Sequence, residues 1–108
     1  MSQRTDKVDA LLVKEISEIL AREIEPPRDC LITVMRAEVT PDLKHAKLFV
    51  SILPEDKTGT AFSVLKRNTH DIQKLLNKKL FMKFVPKISW ELDTTTRKYA
   101  RIDEALKQ

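Results

Sequence analysis

Three features of the sequence predict an α+β fold in which a three-stranded sheet is covered on one face by helices. Val8, Leu11, Leu12, Ile16, Ile19 and Leu20 recur at helical spacing near the N-terminus. Two runs rich in β-branched residues then meet at Thr40-Pro41-Asp42, a combination suited to a tight turn. A second helical stretch precedes a strand-like alternation of Ile88, Trp90 and Leu92. A chain of 108 residues is expected to form a single domain, 1–108, with one core and no need of metal or disulfide support.

Each element has a local cause. Thr5 or Asp6 is placed to cap the first helix, Ile24 stays in phase with its stripe, and Pro26-Pro27 ends it. Cys30 to Val39 predicts a strand, and about Lys44 to Leu53 its hairpin partner. In that partner Ala46, Leu48, Val50 and Ile52 alternate with Lys47, Phe49 and Ser51, so one face is buried. Thr58 or Thr60 is a candidate cap for the next helical region, beside the only glycine, Gly59. Pro86 suits the start or edge of a third strand. Tyr99, Ile102 and Leu106 at helical spacing predict a short terminal helix.

The net charge of +4 is unevenly distributed. Acids slightly outnumber bases through residue 54, whereas Lys66, Arg67, Lys74, Lys78, Lys79, Lys83 and Lys87 face only Asp71 between 66 and 87. Such a stripe is either a solvated helix face or the footprint of a polyanion site. Lysines without acids four residues away repel one another, which favours the second reading.

Inside this segment, Asn68-Thr69-His70 occupies positions where the spacing from Leu65 to Ile72, Leu75 and Leu76 calls for apolar residues. Asn68 is a good helix cap, with Asp71 three residues on, so the tripeptide is expected to kink the chain and restart the helix. The exposed N–H groups at such a kink would join Lys66, Arg67 and Lys74 in a phosphate-sized site. A solvated corner between packed helices is the plain alternative.

Other chemistry finds little support. One glycine is too few for phosphate-cradling loops, which need several close backbone approaches. His45, His70 and the lone Cys30 show no zinc-ligand spacing, and no cofactor is expected. Cys30 reads as a small apolar residue entering a strand. The carboxylate pairs Glu15 with Glu18 and Asp103 with Glu104 read as helix residues that salt bridges and solvation explain, with no catalytic role. Trp90 shares a face with Ile88 and Leu92 and is expected in the core, and recognition by base stacking alone is not expected with so few free aromatics. The charged N-terminus and the lack of an apolar run near 20 residues predict a cytoplasmic protein with no membrane partner.

Almost the full length of the chain resembles the ribosome-binding factor A family. The likeness is carried by "RTDKVDALLVKEISEILAREIEPPR", by "VTPDLKHAKLFVSIL", and by "IQKLLNKKLFMKFVPKISWELD" with "ARIDEAL" behind it. It implies a KH-like (type II) fold of order α-β-β-α-kink-α-β-α, without a Gly-x-x-Gly loop. The family's Ala-x-Gly kink falls here on Asn68-Thr69-His70, which departs from it at both outer positions. The resemblance also implies a non-catalytic assembly factor that binds 16S ribosomal RNA and the free or immature 30S subunit during late maturation; a monomer is expected. The candidate RNA-binding residues are Lys66, Arg67, Asn68, Thr69, His70, Lys74, Lys78 and Lys79. A protein-interaction module docking on an acidic partner is the alternative.

Overall fold

The computed structural model describes residues 3–93, with side chains from Asp6 onward. The terminal helix expected from Tyr99, Ile102 and Leu106 lies outside the described residues. The first helix, α1 (Gln3–Glu23), begins slightly before the expected caps and carries Asp6 in its first turn, where a carboxylate complements the positive end of the helix. Its Leu12, Ile16 and Ile19 are buried, while Leu11 lies at the exposed margin of the stripe. Asp29, at a φ of 58°, then turns the chain into the sheet.

The strands are β1 (Leu31–Val39), β2 (His45–Leu53) and β3 (Lys87–Leu92), in spatial order β1-β2-β3. β1 and β2 form the expected antiparallel hairpin. At its turn Asp42 Oδ1 accepts from the Thr40 hydroxyl and from Lys44 N, while Thr40 Oγ1 accepts from His45 N. Leu43 takes a positive φ of 62° there. β2 and β3 are parallel, so the connection between them must cross over the sheet, and a helix supplies it. That helix is α2 (Thr58–Lys79), entered through a short 3-10 turn, Glu55–Lys57. Thr58 begins the helix without capping it: Lys57 holds the cap position, and the Thr58 hydroxyl donates back to Glu55 O at 2.6 Å.

One sheet face is the core side. Ala46, Leu48, Val50 and Ile52 are buried as their alternation predicts, against Leu12, Ile16 and Ile19 of α1 and Ala61, Leu65, Ile72 and Leu76 of α2. β1 departs from simple alternation because a bulge lies between Val34 and Arg36. Met35 is the extra residue, and the buried series steps from Val34 to Ala37 and Val39. On the opposite face Arg36 stacks over the half-buried Phe49, its guanidinium carbon 3.7 Å from the ring centroid, and pairs with Glu38. His45 is exposed at the start of β2, and Cys30 is half-buried against the core.

The expected helix restart does not occur. α2 is one 22-residue helix that runs through Asn68-Thr69-His70. A cap accepts hydrogen bonds from N–H groups ahead of it. Asn68 instead donates backward from Nδ2 to Val64 O at 2.8 Å, and Thr69 donates backward to Leu65 O at 2.7 Å. The tripeptide therefore has no free backbone N–H groups to offer a phosphate. Its polarity has another cause: the Trp90 indole N–H donates to Thr69 Oγ1 at 2.9 Å. Trp90 is core, as expected, at 8% exposure, and burying its N–H requires an acceptor. Thr69 is that acceptor.

Candidate nucleic-acid interface

A helix turns about 100° per residue, so the residues of α2 sort by angle. Lys66, Arg67, His70, Lys74 and Lys78 fall within one arc, and all five are exposed. Ser63, Asp71 and Asn77 share that arc and are exposed too. Four fixed positive charges thus stand on one ridge against a single acid. The Lys66 ammonium also sits 5.6 Å from the centroid of the Phe62 ring, a contact that limits its freedom without neutralising it.

The other three candidates serve the fold. Asn68 and Thr69 are half-buried and bonded as above. Lys79 turns toward α1, with Nζ 3.9 Å from both Glu15 Oε2 and Glu18 Oε2. These carboxylates, for which salt bridges are expected from sequence, straddle the lysine that joins the two helices. The sequence therefore grouped eight residues that the helix divides into a solvent ridge of five and a structural set of three.

Both outer edges of the sheet are partly covered by helix side chains. Asp9 of α1 accepts from Val39 N at 2.9 Å. Burial dominates its carboxyl and pushes the pKa above the ordinary value, the Val39 bond opposes this, and Asp6 and Glu38 add to the rise. Gln73 of α2 does the same for β3: its Oε1 accepts from Ile88 N at 2.9 Å while Nε2 donates to Pro86 O at 3.1 Å. A single amide thereby imitates the pairing of an adjacent strand, which blunts those positions against strand addition.

Two surface residues went unnoticed as candidates. Phe81 is 105% exposed and Phe84 75% exposed, in the segment that joins α2 to β3. Their apolar character alone reads as core or strand; only the anchoring of their neighbours shows that they face out. No helix among the described residues is long and apolar enough to cross a membrane, and none of these residues forms a cluster of three or more metal-ligating side chains.

Comparison with known proteins shows what this scaffold is. The family model for ribosome-binding factor A matches residues 4–106. The chain belongs to the ribosome-binding factor A family. It is 39% identical over 111 residues to the ribosome-binding factor A of Chlorobium phaeobacteroides, covering 100% of this chain and 95% of that one. The family member from Halothermothrix orenii is 37% identical over 107 residues, covering 98% and 88%. In structure, the ribosome-binding factor A of Thermus thermophilus superposes with a TM-score of 0.71 at 20% identity, over 82% of this chain and 93% of that one. A homology model of the Thermus thermophilus protein fitted into the cryo-EM map of a 30S complex gives a TM-score of 0.67 at 20% identity, over 81% and 92%. The α+β arrangement is the KH-like fold of ribosome-binding factor A, here with an uninterrupted α2.

Proposed function

We propose that this chain is a cytoplasmic, monomeric, single-domain assembly factor that binds 16S ribosomal RNA on the free or maturing 30S subunit, without catalysing a reaction. Membership of the ribosome-binding factor A family supports the ribosomal partner. So does the placement of the Thermus thermophilus relative in a 30S complex. The observation that carries the RNA contact is the ridge of Lys66, Arg67, Lys74 and Lys78, with His70 among them and only Asp71 opposing. Charges spaced along a continuous helix track a phosphate backbone by position and charge, and require no break in the helix to do so. The covered sheet edges at Val39 and Ile88 weigh against a protein partner added as a strand at those positions.

Cosedimentation tests this reading. The protein should pellet with isolated small subunits and remain in the supernatant with translating ribosomes. Arg67→Glu with Lys74→Glu should weaken small-subunit binding at least tenfold while leaving helical content intact, because both side chains are exposed. Equal retention on translating ribosomes, or indifference to the double reversal, would remove the proposal.

A further inference from the structure

The segment between α2 and β3 is pinned at both ends. Leu80 is buried, with its N–H bonded to Leu76 O at 3.1 Å, and Pro86 is fully buried before β3. Between them Met82 and Val85 pack against the core. Phe81 and Phe84 do the opposite and hold their rings in solvent. A short tether with two inward anchors thus fixes two aromatic side chains outward, three residues apart.

The surroundings are basic. Lys87 N donates to Lys44 O at 2.9 Å, which brings the hairpin turn against the end of this segment. A cleft of about 670 Å³ opens between them, lined by Leu43, Lys44, Phe81, Met82, Lys83 and Phe84, with Asp42 as its one acid. The Asp42 Oδ1 atom is already engaged by the Thr40 hydroxyl and the Lys44 amide. Lys83 Nζ lies 5.7 Å from the Phe84 ring centroid. The basic ridge of α2 ends at Lys78, immediately before this segment.

We infer that Phe81 and Phe84, with Lys44, Lys83 and Lys87 around them, form a stacking site for unpaired nucleobases of an RNA whose backbone follows α2. This rests on the RNA-binding reading above and adds a second contact of different chemistry. Flat rings in water beside ammonium groups match the two faces of a single-stranded nucleotide, an aromatic base and an anionic phosphate. A duplex keeps its bases stacked on one another and offers the rings nothing. The charge of the rim selects a polyanion over a neutral apolar partner.

The test compares the parent, Phe81→Ala/Phe84→Ala and Phe81→Tyr/Phe84→Tyr against a labelled single-stranded oligouridylate, an oligoadenylate and an RNA duplex of equal length. Stacking on one base contributes roughly 5- to 150-fold in affinity. The double alanine variant should therefore lose at least about tenfold on single strands and little on the duplex, with an unchanged slope of log affinity against log salt. The tyrosine variant should retain parent affinity. Lys83→Gln should instead flatten the salt slope by about 0.7. Thermal unfolding of each variant checks the fold, and the exposure of both rings predicts no loss. Single-strand affinity equal to the parent's in the alanine variant overturns the stacking site, and, if the parent still pellets with small subunits, leaves the proposed function standing. Failure of the parent to bind small subunits or RNA removes both. Unchanged affinity for single strands with lost retention on intact subunits, or with lost binding to anionic vesicles, would assign the rings to a protein or a lipid surface and also overturn it.

Discussion

Thr69 shows how a single hydroxyl can answer a question that sequence spacing only poses. It lies on the buried side of α2, donates to Leu65 O and accepts from Trp90 Nε1. Thr69→Val keeps the shape and removes the acceptor, so the indole N–H is left buried without its partner. The expected cost is about 1–3 kcal/mol in chemical denaturation, whereas Thr69→Ser should lose less than half as much. Trp90 is the only tryptophan, so its fluorescence reports the change directly, and an unaltered emission and midpoint in the valine variant would contradict the assignment. Asp9 offers the opposite case, a carboxylate disfavoured by its place. Its pKa is raised, chiefly by burial; the folded state therefore holds the proton more tightly than the unfolded one. Its contribution to stability is complete below the ordinary carboxyl value of 3.8 and is lost as pH rises through the folded value. Asp9→Asn retains an oxygen for Val39 N and carries no charge, so it should remove this pH dependence and leave stability at neutral pH equal or higher. Urea midpoints measured across the acid range check the sign.

At the scale of the element, α2 is continuous because its awkward residues bond within the helix or to β3. Replacing Asn68-Thr69-His70 by three alanines therefore adds no helix. Circular dichroism should be unchanged, and stability should fall by about 1 kcal/mol, as the loss of the Thr69 acceptor exceeds the gain in propensity. A rise in helical content would instead revive the restart. Gln73 is the other residue that holds α2 to the sheet, through Ile88 N and Pro86 O. Gln73→Leu leaves both backbone groups without that amide and should cost about 1–3 kcal/mol. Hydrogen exchange at Ile88 should accelerate in this variant, and an unchanged rate would show that the amide is dispensable.

Across the whole molecule, the two layers separate duties. The core side of the sheet and the inward faces of α1 and α2 are closed by Leu12, Ile16, Leu48, Val50, Leu65 and Ile72, all at 0% exposure. The outward face of α2 carries charge that packing does not use. If the ridge neutralises about four phosphates, log affinity should fall with log salt at a slope near −3 to −4. Titration of small-subunit RNA at several salt concentrations measures it, and a flat response would exclude a charge-driven contact. The Arg67→Glu/Lys74→Glu variant should have a shallower slope than the parent, while Thr69→Val should keep the parent slope, since its hydroxyl faces the core rather than the RNA.

The sequence by itself determined α1, the three strands and their inward faces. Periods of 3.6 and 2 in apolar residues are local facts, and they placed the buried residues of α1, β2 and β3 and the third strand after Pro86. It also placed the basic segment, since charge is visible in composition, and its motifs pointed to the ribosome-binding factor A family that the matches then showed. Only the tertiary structure decided what the polar tripeptide does. Asn68 looks like a cap from its neighbours, but Thr69 answers to Trp90, 21 residues away, and no local pattern encodes that contact. The bulge at Met35, the pairing of Lys79 with Glu15 and Glu18, and the amide bridge of Gln73 are likewise long-range or register effects. The same holds for Phe81 and Phe84. Hydrophobicity predicts burial for such residues, and only the anchoring of Leu80, Met82, Val85 and Pro86 leaves the two rings on the outside.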